Sequence, residues 1–397
     1  MLETIREYAL EQLTAACEVE MIRQRHALYY LALTEHAEHA LEETAQGAWP
    51  ERLNAEHGNL REALTWLLSN KPNLAICLAS ALWRFWMQKG YISEGRWWLI
   101  QALDASAGTI TPARAKALRA MGMLAWHQGD FRQTQIFGEQ FLEAARTLGD
   151  ASMTIRALSL LGMRAALQGD YVDAHTCYNE SLALAQSIGY DMGVAVAHQL
   201  MGYLAVYEGD CVQAVALFTT ALTMVRKLGN EPRINWILGG LGEAYYYQKD
   251  YPQAHAWFAE QLAFGRGLAE EDQLAHGFAL YGLGLVALAQ QQEDSALEYL
   301  TESLVVRRAN GDQYGALQCL EALARLHLGQ KQAARAIRLL GFTTGRRMAL
   351  GTPYHPVEQP AIEQMIATAQ AQLDITSYAI EYAAGQALSL DQAVACG

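Results

Sequence analysis

Proline is scarce: the chain has 8 in 397 residues. With 52% hydrophobic residues and abundant alanine, that scarcity argues against disorder and for a large helical core. Cysteine is equally uninformative as a framework. Cys17, Cys77, Cys177, Cys211, Cys319 and Cys396 are scattered without a CxxC pair, which excludes the usual zinc spacing and a disulfide scaffold and leaves reduced thiols. Positive charge is also short, with 29 Lys plus Arg against 42 Asp plus Glu and a formal charge of -13. Such a field repels phosphate backbones and anionic membrane surfaces, so nucleic acid and membranes are not expected as direct partners. No uninterrupted apolar run reaches the roughly 18 residues of a membrane span. The opening stretch MLETIREYALEQL has acids in its first turns and does not read as a signal sequence. The composition therefore predicts a cytoplasmic, helical chain.

What is present is a period. Small residues at Gly122, Gly162, Gly202, Gly242 and Gly284 follow one another at 40, 40, 40 and 42 residues. Twelve residues after each stands a second small position, Thr134, Ala174, Ala214, Ala254 and Ala296, and twenty after each a leucine, Leu142, Leu182, Leu222, Leu262 and Leu304. Degenerate units anchored on Trp83 and Ala324 bring the number to seven. Within a unit, apolar residues recur at three and four residue spacing on either side of a break, which describes two amphipathic helices. The break is Gly129-Asp130, Gly169-Asp170 or Gly209-Asp210, a helix stop followed by a residue whose carboxylate caps the next helix. Gly149-Asp150, Gly229-Asn230 and Gly311-Asp312 repeat the device between units, with Asp191 and Asp272 as looser versions. The paired small residues are expected where the two helices of a hairpin cross closely.

This arrangement resembles the tetratricopeptide repeat: small residues twelve apart, a leucine before the first (Leu161, Leu241, Leu283, Leu323) and an aromatic four after the second (Tyr178, Phe218, Phe258). The resemblance covers roughly Asn73 to Thr344, with a unit about six residues longer than the usual 34. It implies an all-α, right-handed superhelix of about seven helical hairpins with helical caps at both ends. The predicted organisation is an N-terminal helical segment over 1–72, the repeat superhelix over 73–344 and a C-terminal helical cap over 345–397.

The ends carry a second resemblance. MLETIREYALEQL, RQRHALYYLALTEHAEHAL and RLNAEHGNLREALTWLL before the repeats, and AARAIRLLG and GQALSLDQAVA after them, resemble the flanks of the repeat region in bacterial STAND-type signal-transduction ATPases, the LuxR-like and AfsR-SARP-like transcriptional regulators. That resemblance implies a C-terminal sensor region of a longer regulator, with the ATPase domain of the same polypeptide as a partner. The GxxxxGK[ST] phosphate loop that precedes the repeats in such proteins does not occur here.

If the hairpins stack, groove-facing positions lie one, four and five residues after each anchor and three and six before it. They include Arg84, Arg119, Trp126, His127, Arg156, Gln199, Tyr203, Tyr207, Trp236, Glu243, Tyr246, Tyr247, Phe278 and Tyr281. Aromatic faces with polar tips suit an extended peptide or a flat small molecule, and Arg119 and Arg156 offer guanidinium groups to a carboxylate. The expected ligand is a protein, peptide or small-molecule inducer. The cluster WRFWMQKGYISEGRWW (Trp83 to Trp98) reads mainly as core. His36 and His39 lack a third metal ligand and read as a solvated helix face. No nucleophile motif is present, so the expectation is a non-enzymatic chain with no cofactor and no metal, either as a regulator's sensor arm or as a free-standing scaffold or peptide receptor.

Overall fold

The computed structural model describes residues 12, 14–15, 18–42, 49–106, 108–266 and 272–397. Among the described residues every regular element is helical, and no strand occurs. The chain divides into two compact units, Met1–Leu124 and Ala125–Gly397. The helix expected over MLETIREYALEQL lies almost wholly outside the described residues.

The first unit contains α1 (Val19–Glu42), α2 (Trp49–Ala55), α3 (His57–Asn70), α4 (Pro72–Ala81), α5 (Trp83–Gln88), α6 (Ile92–Ala105) and most of α7 (Pro112–His127). Helix α1 packs on α3 and α4, and α4 on α6. Trp83, Phe85, Trp86 and Trp98 are buried, as expected of a core cluster, while Trp97 is 52% exposed. Gly95 explains one of these rings: a Cβ there would lie 2.5 Å from Trp86. His36 sets its ring against Trp49; the side chain of His39 is outside the described part.

The second unit is a run of hairpins. Helix α8 (Phe131–Thr147) is followed by the pairs α9 (Ala151–Leu167) with α10 (Tyr171–Ser187), α11 (Asp191–Glu208) with α12 (Cys211–Leu228), α13 (Glu231–Tyr247) with α14 (Tyr251–Arg266), α15 (Gln273–Ala289) with α16 (Glu293–Ala309), and α17 (Gln313–Gly329) with α18 (Ala333–Leu350). Three helices close it: α19 (Gln359–Gln372), α20 (Ile375–Gln386) and α21 (Leu390–Cys396). Each first helix packs on the first helix of the next pair, giving a helical-repeat superhelix.

The turn chemistry follows the sequence. Gly129, Gly169 and Gly209 are left-handed, with φ of 71°, 79° and 92°, and Asp130, Asp170 and Asp210 accept the backbone N–H three residues on. Lys249, Gln291 and Lys331 occupy the same turn position in later hairpins and are left-handed without being glycine. Asp272 caps α15 through Leu274 and Ala275. Asp191 departs from expectation, because the residue before α11 is Tyr190 and no side chain caps that helix.

At three of the small anchors the missing Cβ makes room for an aromatic ring, and at Gly284 for Leu300. A Cβ on Gly162 would lie 2.4 Å from Tyr178, one on Gly202 2.8 Å from Phe218, and one on Gly242 2.8 Å from Phe258. The opposite side of each phenylalanine ring meets the next hairpin: Gly240 faces Phe218 and Gly282 faces Phe258. These rings, with Tyr178, are at most 2% exposed. Helix α12 is the one described helix with the length and composition of a membrane span, at 18 residues and a mean hydropathy of 1.3. It contains Arg226 and Lys227 and buries Ala214, Phe218 and Ala221 between its neighbours, as a repeat helix does.

Candidate functional site

A stretch of the chain's own backbone lies against Tyr207, near the end of the first helix α11, and against Tyr171 at the start of α10. Thr352–Glu358 joins α18 to α19 without regular structure. Gly351, left-handed at φ 69°, ends α18, and Pro353 and Pro356, which have no N–H to give, prevent the helix from resuming. Exposure along the segment is uneven. Thr352 and His355 are each 1% exposed, whereas Pro353 and Pro356 face solvent.

His355 is the deepest anchor. Its imidazole stacks on Tyr207, with centroids 4.0 Å apart and planes 6° from parallel, and its Nδ1 lies 2.9 Å from the Tyr171 hydroxyl. Burial, with the Arg347 guanidinium nearby, pushes its pKa down to about 3, so the ring is neutral in its seat. The Val357 N–H donates to the Tyr207 carbonyl at 3.4 Å.

A second anchor is ionic. Arg347, 3% exposed, donates to both carboxylate oxygens of Glu321 at 2.7 and 2.8 Å and lies 3.5 Å from Glu358. Its Nη1 donates to the Pro353 carbonyl at 3.3 Å, the Tyr354 hydroxyl donates to Glu321 at 3.0 Å, and the guanidinium lies over the rings of Tyr314 and Tyr354. A buried arginine shared by two carboxylates satisfies most of its donors, which is what makes such burial tolerable. Below the segment, Glu243 is 9% exposed. Burial first, and then the negative charge of Glu358, raise its carboxyl to about 8, so it carries a proton at neutral pH.

The sequence-predicted positions fall into three groups. Tyr207 touches the segment directly. Glu243, Tyr247 and Tyr281 lie within the reach of the Glu358 charge; burial foremost, with that charge adding to it, raises both phenols well above the ordinary tyrosine value. A second group ties repeat to repeat. Arg233 donates to Gln199 at 2.9 Å, Tyr203 to the Trp236 carbonyl at 2.7 Å, and Trp236 to Asp272 at 2.9 Å. Phe278 lies between Trp236 and Phe258, and the Tyr246 hydroxyl accepts from Arg325. The remainder are dispersed. Arg84 and Arg119 belong to the first unit and lie over Trp83. Trp126 is edge-on to Phe131; burial lowers His127 to about 4 despite the charge of Asp312; Arg156 is half-buried on α9.

Beside the segment, the last hairpin meets the earliest helices of this unit. Gln313 donates to the Gln128 carbonyl at 3.0 Å, and Pro353 lies against Gly169. Beside this crossing is a shallow recess of about 350 Å³, lined by Gly129–Arg132, Gln135, Gln168 and Met348–Gly351. Among the described residues no three His, Cys, Asp or Glu side chains gather as metal ligands, and the five described cysteines form no disulfide.

The tetratricopeptide-repeat family model matches residues 113–187 and 193–266. The repeats of the second unit are thus of that kind over α9 to α14. Curated relatives from Mycobacterium tuberculosis and Mycobacterium bovis, named as HTH-type transcriptional regulators, are 32% identical over 166 residues. The match takes in 40% of this chain and only 19% of those proteins. Among solved structures, a Rap protein complexed with competence and sporulation factor aligns with a TM-score of 0.59 at 13% identity, over 87% of this chain and 99% of that one. A STAND protein with a tetratricopeptide-repeat sensor from Pyrococcus horikoshii aligns with a TM-score of 0.47 at 13% identity, over 86% of this chain and 54% of that one.

His355, Arg347, Glu321, Tyr171 and Glu358 were not among the sequence candidates. One signal points to them. Pro353, Pro356 and Pro360 are three of the chain's 8 prolines, gathered between the end of α18 and the first turn of α19.

Proposed function

We propose that this chain is the sensory and interaction arm of a STAND-type transcriptional regulator, working in the cytoplasm. A protein, peptide or small-molecule inducer seats on the face of the first helices and shifts the packing of the repeats against the ATPase domain of the same polypeptide. The observation that carries this reading is the extended segment on that face, held by a ring stack on Tyr207 and an ion pair with Arg347. A surface that seats one extended stretch of polypeptide has the shape and the polar partners to seat another. Likeness to HTH-type regulators over a small part of their length supports the arm reading.

In this reading 1–72 is the linking helical segment, 73–344 the sensor and 345–397 its cap. The chain has no catalytic role, cofactor or metal of its own, and neither nucleic acid nor membrane is its direct partner. Activation requires a ligand that binds the active arrangement more tightly than the resting one. A repeat array suits this, since each hairpin touches only its neighbours and small rotations add along the stack.

The second reading is a free-standing scaffold or peptide receptor, favoured by the likeness to the Rap protein over nearly all of that chain. Immunoblotting source-cell lysate with an antibody against the repeats separates the two. A band at twice 43.9 kDa or more is expected. A band near 43.9 kDa would replace the regulator arm with the free-standing receptor.

A further inference from the structure

We propose that Thr352–Glu358 is a built-in pseudo-ligand, and that the site it covers takes an extended, proline-bearing acidic peptide whose ring stacks on Tyr207 and whose carboxylate pairs with Arg347. This rests on the reading of the first-helix face as a binding surface, and adds the ligand class and the gate.

The segment has the marks of an occupant. It contributes no helix or strand, and it meets the repeats through spaced anchors with exposed residues between them, as a bound peptide does. Its helical flanks are held by contacts outside the segment: Met365 and Ala369 of α19 lie in the core formed by α17 and α18, and α18 is clasped by α20. A Cβ on Gly341 would lie 2.3 Å from the Tyr382 carbonyl oxygen and one on Gly385 2.1 Å from that of Arg338, so α18 and α20 touch backbone to backbone. Lifting Thr352–Glu358 leaves that clasp in place.

The seat is also imperfect. Thr352 Oγ1, His355 Nε2 and the Tyr314 hydroxyl are buried without a hydrogen-bond partner. Buried polar atoms left unmatched are destabilising, and a well-evolved core avoids them. The tether acts as a high local concentration of the segment, so an untethered copy competes for the seat only in millimolar excess, and a ligand that also supplies the missing partners competes at lower concentration. The tether thereby sets a threshold: weak peptides fail to enter, and matched ones enter and free the strap between α18 and α19.

The test uses the whole chain and a synthetic peptide, GTPYHPVEQ, copied from residues 351–359. With the peptide in millimolar excess, backbone exchange at Tyr354, His355 and Val357 of the protein is expected to rise at least tenfold, with no change for a scrambled peptide. Equal exchange with and without peptide would overturn the proposal. A second measurement uses fluorescein-labelled peptide. His355→Ala/Glu358→Gln is expected to bind it at least tenfold more tightly than wild type, and adding Tyr207→Ala to remove the gain. Binding no tighter than wild type by a folded double variant, or a gain untouched by Tyr207→Ala, would overturn it. Should the double variant fail to fold, the exchange measurement on the wild-type chain decides alone. A lysate band near 43.9 kDa with the peptide effects intact would sink the regulator reading and leave this one standing.

Discussion

The phenol of Tyr207 and the imidazole of His355 lie face to face, 4.0 Å between centroids and 6° from parallel, with the hydroxyl of Tyr171 on His355 Nδ1. Tyr207 sits on a first helix, Tyr171 begins a second helix, and His355 comes from beyond the last hairpin. Three parts of the unit are thus joined at one ring.

His355→Ala is expected to lower stability by about 1–2 kcal/mol through loss of the stack and its hydrogen bond. Tyr171→Phe is expected to cost about 1 kcal/mol. The pair should be non-additive, because either change alone breaks the same bond. A double-mutant cycle by urea unfolding measures the coupling; strictly additive losses would contradict the geometry.

Arg347→Met leaves Glu321 and Glu358 facing buried surface without their cation. The expected loss is about 3–5 kcal/mol. Arg347→Met with Glu321→Leu should recover part of it, since no uncompensated charge then remains at Glu321. Thermal unfolding of the two variants should place the double above the single; the reverse order would mean that the guanidinium acts mainly through the Tyr314 and Tyr354 rings.

Proton linkage gives Glu243 and His355 opposite signs. Glu243, raised to about 8, contributes stability that is full below 4.5 and is lost as pH rises to 8. His355, lowered to about 3, contributes stability that is full above 6.5 and is lost as pH falls toward 3. The two slopes cancel between 4.5 and 6.5. From 6.5 to 8 Glu243 acts without that opposition, at about 1.4 kcal/mol per pH unit. Glu243→Gln should therefore flatten that alkaline limb in denaturation curves taken between those pH values, while an unchanged slope would assign it to another group.

Three hairpin turns place an ordinary residue where the others place glycine. Lys249→Gly, Gln291→Gly and Lys331→Gly should each raise stability by about 0.5–1 kcal/mol, the relief of the left-handed backbone exceeding the extra entropy of the unfolded chain. Gly209→Lys should lower it. Melting temperatures of the four variants test this, and a fall on Lys249→Gly would show that its side chain contributes more than its backbone costs.

The repeats were legible because their determinants are local. Gly162 and Tyr178, or Asp170 and the N–H of Asp173, stand at fixed short spacing, and each pairing has one steric or hydrogen-bonding outcome. Asp191 was misread because Tyr190, not Asp191, precedes the first turn of α11. The site was harder to read. Groove-facing positions followed from periodicity, but periodicity cannot tell that Tyr203, Trp236 and Asp272 bond repeat to repeat, or that Tyr207 already has a ring upon it. The fold-back of Thr352–Glu358 depends on the superhelical pitch that brings Gln313 to Gln128, and no short spacing encodes that. The gathered prolines marked a break without naming its destination.

Phe218 and Phe258 each belong to two hairpins at once, one face on Gly202 or Gly242 and the other on Gly240 or Gly282. A cut ahead of α13 or ahead of α15 bares one side of a ring on the first fragment and an empty slot on the second. Neither fragment is self-contained, yet the two are complementary in shape. Halves of this unit expressed from separate genes should reassemble on mixing, and the point of cleavage, more than the length of either piece, should decide how well they do so.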